Sequence, residues 1–158
     1  MKAFVFVLED NETELDIIIR YLKLALDPQD VILTAQNGQE AISLIESSDP
    51  KPSIFILDLN MPGRIKGKDV LRWLGQQPDP VLRSATKVVF SSSDNPKDRS
   101  DCLALGCTDY KTKPANVIEV KIVVSNILKD HKAKTLGSGA NRSNIQDLSQ
   151  RFKRLFED

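Results

Sequence analysis

Five short segments with strand character alternate with five amphipathic helical segments, and this alternation limits the possible folds more than any other feature of the chain. The strand segments lie at residues 3–8, 31–34, 53–57, 87–90 and 108–111. The first and third are continuous apolar runs, which are typical of strands covered on both faces. Because right-handed crossovers place successive helices against each face, the alternation predicts a doubly wound α/β fold around a parallel sheet.

The helical segments are indicated by apolar residues at three- and four-residue spacing. Asn11 is predicted to cap the first helix, and Asn37-Gly38 is predicted to open the second. The fourth helix is predicted over residues 96–105 and is closed by Gly106, a favoured residue at helix ends. The fifth helix is predicted from about residue 116 to residue 129.

Charge and cysteine content argue against several classes of function. The 158-residue chain carries 22 basic and 22 acidic side chains, so no global positive field attracts nucleic acid. No stretch approaches the roughly 20 apolar residues that span a bilayer, and the N-terminus lacks a signal-peptide pattern. The chain is therefore predicted to be cytoplasmic and not bound to a membrane. Cys102 and Cys107 lack a CxxC spacing, which favours buried packing over a zinc or redox site.

Polar side chains follow four of the predicted strands, at the edge where a parallel sheet of this kind binds its ligands. They are Glu9 and Asp10 after the first strand, Asp58 and Asn60 at the third, Ser91 after the fourth and Lys113 after the fifth. Three carboxylates at one edge repel one another unless a cation compensates them. A hard divalent ion with oxygen ligands is expected, and Mg²⁺ fits best.

This set of residue types predicts chemistry on a phosphoryl group. With a cation screening it, the Asp58 carboxylate can attack a phosphoryl group to form an acyl phosphate. The ammonium of Lys113 and the hydroxyl of Ser91 can then donate to the phosphoryl oxygens. Each residue alone has a plain structural explanation, such as a helix cap or a turn, but the four strand ends together favour a phosphate site.

Four segments carry a specific resemblance to a known family. They are VLEDN (7–11), ILDLNMPG (56–63), VVFSSSD (88–94) and GCTDYKTKP (106–114). In this order they resemble the acidic pair, phosphorylation loop, switch-hydroxyl strand and lysine-proline signature of response-regulator receiver domains. The resemblance covers about residues 2–131 and implies a flavodoxin-like sheet with strand order 2-1-3-4-5 and five helices.

The resemblance implies a role for each matching residue. Asp10 and Asp58 would bind Mg²⁺ directly, Glu9 would bind it through water, and Asn60 would bind it through its backbone carbonyl. Asp58 would also be the phosphoacceptor, and Lys113 would pair with the phosphate. Ser91 would be the switch hydroxyl and Tyr110 the switch aromatic. In the family, phosphorylation draws the hydroxyl towards the phosphate and lets the aromatic side chain turn inward. The chain would thus shift between two conformations rather than turn over a substrate.

The implied function is phosphorelay signalling in a bacterial two-component system. The chain would take its phosphoryl group from a sensor histidine kinase or phosphotransfer protein and signal to a downstream protein target. It would not be an enzyme, beyond slow self-phosphorylation and autodephosphorylation. The alternative is a Mg²⁺-dependent phosphohydrolase of the haloacid dehalogenase type, which needs a second acid two residues after its nucleophile. Asn60 occupies that position, which favours the receiver.

Two departures from the family pattern are visible. The loop after Asp58 is one residue longer than usual before Gly67, and it carries Arg64, Lys66 and Lys68. These cations either alter the docking of a kinase or are simply solvated side chains of an exposed turn. The extended stretch QQPDPVLRSATK (76–87) resembles that of stand-alone receivers paired with phytochrome-type sensor kinases.

The C-terminal part of the chain has a different composition. A receiver domain is predicted over residues 1–132, a flexible linker over 133–142 and an amphipathic helix over 143–158. The helix would fold back on the receiver, form a dimer, lie in a partner's groove or be a fused partner peptide. A homodimer would form through this helix or through the surface of the fourth helix, fifth strand and fifth helix.

Overall fold

A computed structural model describes residues 2–136, which form five strands and six helices. The strands are β1 (Phe4–Leu8), β2 (Val31–Ala35), β3 (Ile54–Asp58), β4 (Thr86–Ser91) and β5 (Asp109–Thr112). The helices are α1 (Glu12–Ala25), α2 (Gly38–Ser47), α3 (Gly67–Gly75), α4 (Pro80–Ser84), α5 (Pro96–Ala104) and α6 (Val117–Leu136). No helix in this part of the chain is both long enough and apolar enough to cross a lipid bilayer.

The five strands form one sheet in the order β2-β1-β3-β4-β5, and every neighbouring pair is parallel. The order reverses between β1 and β3, because the chain adds β2 on one side of β1 and β3 on the other. This arrangement confirms the predicted flavodoxin-like fold class. It also identifies the point between β1 and β3 where a ligand site is expected, at the carboxyl ends of the strands.

Side-chain caps begin two of the helices where the sequence predicts them. The Asn11 Oδ1 atom accepts the backbone N–H of Glu14 at 3.0 Å, and the Asn37 Oδ1 atom accepts that of Glu40 at 2.8 Å. Each bond satisfies a donor that has no partner inside the helix. Gly106 follows α5 with a φ of +97°, the left-handed conformation that glycine adopts easily. The predicted cap at Asn11, the predicted start of the second helix at Asn37-Gly38 and the Gly106 end signal are confirmed.

Two helix predictions are wrong in detail. The prediction of five helices omits α4, a single turn that begins at Pro80 with the Asp79 side chain accepting the N–H groups of Val81 and Leu82. One turn is too short to give a 3.6-residue apolar pattern, although the Asp-Pro pair is a valid start signal. The last helix extends to Leu136 instead of ending near residue 129, and therefore enters the predicted linker. The rest of that linker and the predicted helix at 143–158 lie outside the described residues.

The chain divides into two compact units. The first contains residues up to 15 and residues 29–113, which include the whole sheet and α2 to α5. Its core is built on buried side chains of the central strands and on apolar faces of α2 and α3, among them Phe6, Leu8, Ile45, Phe55, Leu57, Val70, Leu71 and Leu74. Within the described residues, the second unit contains residues 16–28 and 114–136, with buried Leu22, Val124 and Leu128.

Candidate functional site

The register of β1 and β3 places two acidic side chains side by side. Leu8 is the last residue of β1 and pairs with Leu57, so Glu9 follows at the level of Asp58, the last residue of β3. The Glu9 N–H donates to the Ala35 carbonyl at 3.1 Å, which continues the pairing with β2 by one residue. Both acids lie at the point where the strand order reverses, where the fold predicts a ligand site.

The last two strands bring a hydroxyl and an ammonium to the same edge. Asp58 pairs with Phe90, so Ser91 comes one residue beyond the level of Asp58. Ser91 pairs with Thr112, and the N–H of Lys113 donates to the Ser91 carbonyl at 2.7 Å. Strand register alone therefore delivers the predicted nucleophile, hydroxyl and lysine to one place.

Glu9, Asp10 and Asp58 form an acidic cluster in which one carboxylate oxygen from each lies within 4.8 Å of the others. Glu9 is 2% exposed and Asp58 is 1% exposed, whereas Asp10 is half-buried. The structure thus assembles the three carboxylates that the sequence singles out. Their spacing fits a single divalent cation with oxygen ligands, and Asp10 lies on the side that solvent reaches.

The electrostatics of this cluster favour a cation. Burial, together with the charge of Asp58, raises the pKa of Glu9 from its ordinary value of 4.5 to about 8. Burial also raises the pKa of Asp58, although the Asn60 N–H and the Lys113 ammonium oppose that shift. A divalent ion would reduce the repulsion between these two buried carboxylates and stabilise their ionised forms. The donor set therefore fits a metal ion.

Asn60 joins the acidic cluster to the loop after β4. Its backbone N–H donates to the Asp58 Oδ1 atom at 3.1 Å. Its side-chain Nδ2 donates to the hydroxyl of Ser92 at 2.9 Å and to that of Ser91 at 3.4 Å. The contacts of Asn60 therefore orient the carboxylate and the hydroxyl, while its implied role as a carbonyl ligand to a metal stays a prediction.

Lys113 contacts three carboxylates within the described part of the chain. Its Nζ atom lies 3.3 Å from Glu9 Oε1, 3.3 Å from Asp58 Oδ2 and 2.8 Å from Glu14 Oε2. Burial by itself would lower the pKa of Lys113, but the hydrogen bond to Glu14 and the charges of Asp58 and Glu9 outweigh burial and raise it. The ammonium is therefore held charged at the edge of the site.

Glu14 is the site residue that the sequence analysis missed. It lies in the first turn of α1, three residues after the cap Asn11, where an acid is ordinarily explained by the helix dipole or a capping box. In the structure its carboxylate reaches Lys113 instead. The only available signal was its position, one helical turn beyond Asp10.

Ser91 and Tyr110, the predicted switch residues, both form hydrogen bonds with Ser93. Ser91 is fully buried, and its Oγ atom accepts the Ser93 N–H at 3.0 Å. The Tyr110 ring is 5% exposed, and its hydroxyl donates to the Ser93 carbonyl at 3.0 Å. The guanidinium of Arg99 lies 6.0 Å from the ring centroid. The Tyr110 side chain is thus turned inward in this structure, and its role as a switch stays a prediction.

Two of the three loop cations after Asp58 have structural partners. The Nζ atom of Lys66 donates to the Met61 carbonyl at 3.1 Å. Lys68 pairs with Asp98 at 2.8 Å and with Asp101 at 3.3 Å, which ties the first turn of α3 to α5. These bonds give Lys66 a structural role in the loop and Lys68 one in the first turn of α3. Arg64 is exposed.

Gly67 lies directly against the phosphoacceptor candidate. A Cβ atom at this position would overlap the Asp58 carbonyl, so only glycine allows α3 to begin this close to the end of β3. The sequence predicts Gly67 in the loop after Asp58, whereas the structure shows that it begins α3.

A sequence model of the response regulator receiver domain matches residues 5–125 of the chain. The chain belongs to the response regulator receiver family. The receiver is 30% identical over 132 residues to the alkaline phosphatase synthesis transcriptional regulatory protein PhoP of Bacillus subtilis, covering 82% of this chain and 50% of that protein. It is 28% identical over 149 residues to a protein-glutamate methylesterase/protein-glutamine glutaminase of Carboxydothermus hydrogenoformans, covering 89% of this chain and 38% of that one. The receiver thus spans half or less of these curated relatives.

Solved structures of other receivers have the same fold. The phosphorylated cyanobacterial phytochrome response regulator RcpA has a TM-score of 0.70 and 28% identity, covering 80% of this chain and 91% of RcpA. The Mn²⁺-bound response regulator Rcp1 has a TM-score of 0.68 and 25% identity, covering 79% of this chain and 91% of Rcp1. A response regulator in red light signalling of R. palustris has a TM-score of 0.64 and 26% identity, covering 78% of this chain and 90% of that chain. The predicted family is therefore confirmed, and receiver domains bind a divalent metal at an acidic pocket of this kind.

Proposed function

We propose that this receiver accepts a phosphoryl group on Asp58 from a histidine kinase or phosphotransfer protein, with Mg²⁺, and signals through a protein partner. The single observation that carries the proposal is the position of the Asp58 carboxylate. It is buried at the sheet edge with an ammonium, a hydroxyl and two further carboxylates around it. We also propose that the protein is cytoplasmic, as the sequence predicts.

The two oxygens of Asp58 have different partners, which orients the carboxylate for attack. Oδ1 accepts the Asn60 N–H, and Oδ2 faces Lys113. A carboxylate oxygen attacks phosphorus, the new O–P bond forms, and the bond to the donor's leaving group breaks with its electron pair. The product is an acyl phosphate on Asp58. Burial of the carboxylate limits the access of water to it.

Glu9, Asp10 and Asp58 would hold the Mg²⁺ ion, since their oxygens converge and a cation relieves their repulsion. When bound, Mg²⁺ would reduce the repulsion between the carboxylate and the incoming phosphoryl oxygens. We propose Mg²⁺ rather than Mn²⁺ as the ion, because Mg²⁺ keeps several waters and needs only one or two carboxylates as direct ligands.

Lys113 and Ser91 would bind the phosphoryl oxygens on the other sides. Lys113 already faces the Asp58 Oδ2 atom at 3.3 Å, so a phosphoryl group there comes within its reach. The Ser91 oxygen accepts bonds from Ser93 and Asn60, which leaves its own proton for a phosphoryl oxygen. That bond would alter the loop after β4, where Ser93 also holds Tyr110.

A phosphohydrolase of the haloacid dehalogenase type is the less favoured function. Such an enzyme needs an acid two residues after its nucleophile, and Asn60 stands there. The Asn60 amide donates to the hydroxyls of Ser91 and Ser92 and has no acidic proton to transfer. We therefore propose that turnover is limited to slow self-phosphorylation and autodephosphorylation.

Intact mass measurement after incubation with Mg²⁺ and acetyl phosphate tests the proposal. The native chain should gain one phosphoryl group, and Asp58→Asn should gain none, because an amide is not a nucleophile of this kind. Asp16→Asn is the matched control, since it makes the same chemical change at an exposed position on α1. An equal mass gain in Asp58→Asn, or none in any variant, would refute phosphorylation at Asp58.

The partners and the oligomeric state are the finer part of the proposal. Similarity to the phytochrome response regulator RcpA supports a phytochrome-like kinase as the phosphoryl donor. Dimerisation is tested by gel filtration of the full chain and of a chain ending at Leu136, where α6 ends. A dimer that is lost on truncation assigns assembly to residues 137–158, and a dimer that persists assigns it to the receiver.

A further inference from the structure

The ammonium group of Lys113 has no donor to spare within the described residues. A lysine ammonium carries three N–H donors, and Lys113 faces three carboxylates, those of Glu9, Glu14 and Asp58. A phosphoryl oxygen on Asp58 can bind Lys113 only if one of these contacts is given up. The affinity for the phosphoryl group therefore depends on which of the three contacts is broken.

Asp58 gives up part of its contact through the reaction itself. As a carboxylate it attracts the ammonium, but as an acyl phosphate its own oxygens no longer carry the negative charge. Glu9 is fixed in the buried acidic cluster, and its contact with Lys113 is long, at 3.3 Å. Neither of these two residues holds Lys113 away from the phosphoryl group.

Glu14 differs from the other two partners in distance, exposure and position. Its 2.8 Å contact is the shortest of the three, and its side chain is 46% exposed while that of Glu9 is 2% exposed. The bond from its N–H to Asn11 fixes the backbone of Glu14 in the first turn of α1. A carboxylate anchored there draws the ammonium towards α1 and away from β3.

We propose that Glu14 is a positioning residue that restrains Lys113 and competes with the phosphoryl group for its ammonium. The inference rests on the proposed function and adds a regulatory residue to it. Two effects of Glu14 have the same sign, since it occupies one N–H donor and adds a negative charge near an incoming anion. Glu14 therefore weakens phosphoryl binding in the native chain, and its neutralisation strengthens that binding.

The affinity for beryllofluoride, a phosphoryl mimic, measures this competition in the presence of Mg²⁺. Glu14→Gln keeps the shape of the side chain and removes its charge. Because the pair is partly exposed, we expect the dissociation constant of beryllofluoride to fall about two- to fivefold. Asp58→Asn in the same titration identifies the binding that depends on the phosphoacceptor.

Glu12→Gln is the matched control. Glu12 is the other acid in the first turn of α1, so the control makes the same charge change near the same helix end. We expect it to leave the dissociation constant unchanged. Equal tightening by Glu12→Gln would mean that any lost charge suffices and would overturn the role of Glu14, as would an unchanged or weaker affinity in Glu14→Gln.

The NMR signal of the Lys113 ammonium protons tests the restraint without any phosphoryl mimic. In the native chain the contacts slow the exchange of these protons with water, and Lys113→Arg assigns the signal. Glu14→Gln should shift and broaden it, whereas Glu12→Gln should not. An unaltered signal in Glu14→Gln would overturn the restraint.

The outcomes separate this inference from the proposed function. Normal Asp58-dependent beryllofluoride binding with no change in Glu14→Gln would refute the competition alone. No Asp58-dependent binding by the native chain would refute the phosphoacceptor function, and the competition with it.

Discussion

At the scale of single residues, the site brings acidic groups together at a cost. Glu9 and Asp58 are almost fully buried next to one another, and both have raised pKa values because burial disfavours the ionised form. Lys113 offsets part of this cost, since it lies 3.3 Å from each carboxylate. The remaining electrostatic repulsion makes the stability of the cluster sensitive to a bound divalent cation and to the charge of a phosphoryl group.

The stabilisation of the fold by Mg²⁺ should increase with pH. Glu9 titrates near 4.5 when unfolded and at about 8 when folded. Because the folded chain holds this proton more tightly, the stability it contributes is present below about pH 4.5 and is lost as the pH rises through about 8. Mg²⁺ requires the ionised carboxylate, so the rise in Tm that it causes should be larger at about pH 9 than at about pH 6.

Thermal unfolding with and without Mg²⁺ at the two pH values measures this effect. Glu9→Gln is the control, because it cannot ionise and should reduce the dependence on pH. An equal rise in Tm at both pH values in the native chain would contradict the prediction.

At the scale of elements, the loop from β4 to α5 connects the site to the rest of the sheet edge. Ser93 donates its N–H to Ser91, accepts the Tyr110 hydroxyl at its carbonyl, and donates its own hydroxyl to Asp98 at 2.7 Å. Asp98 in turn pairs with Lys68. These bonds connect the Ser91 hydroxyl to Tyr110 in β5 through Ser93, and to Lys68 at the start of α3 through Ser93 and Asp98.

Tyr110→Phe should destabilise the receiver while keeping the ring in place. The substitution removes the bond to the Ser93 carbonyl in a buried position, so the free energy of unfolding should fall by about 0.5–1.5 kcal/mol. Urea unfolding followed by the fluorescence of Trp73, the single tryptophan, measures the change. Ser93→Ala separates the two bonds of this loop, because it removes the hydroxyl bond to Asp98 and keeps the carbonyl that Tyr110 uses. Unchanged stability in Tyr110→Phe would show that the bond contributes nothing.

At the scale of the whole molecule, the sheet positions the six site residues that lie at the strand ends. The three central strands β1, β3 and β4 are each paired on both sides, and β3 and β4 are buried throughout. The edge strands β2 and β5 are only partly buried. Asp58, the predicted nucleophile, therefore lies at the end of a strand that is paired on both sides and buried throughout.

Hydrogen exchange should follow this order. Amides of β1, β3 and β4 should be the slowest among the described strands, because both edges of each strand are bonded and exchange requires global opening. In β2 and β5 about half of the amides should exchange faster, since a parallel edge strand directs alternate N–H groups away from its neighbour. Native-state exchange measured by NMR checks this, and protection in β2 equal to that in β3 would contradict it.

The sequence was informative wherever one short segment carries the signal. The strands, the helix starts at Asn11 and Asn37, and the six residues at the strand ends are all local patterns that a folded sheet brings together. Helix α4 was missed because one turn has no periodicity, and the end of α6 was misplaced because its polar last turns resemble a linker. The domain boundaries and the roles of the site residues stay predictions.

By itself, the sequence determined the fold class, the strand order implied by its family, and the residue types at the carboxyl edge of the sheet. Only the tertiary structure decided that Lys113 is shared with Glu14, that Ser93 joins Ser91 to Tyr110, and that Gly67 lies against Asp58. The reason is physical. Strand register converts local patterns into neighbours, whereas contacts between side chains from separate elements depend on distances that no spacing along the chain encodes.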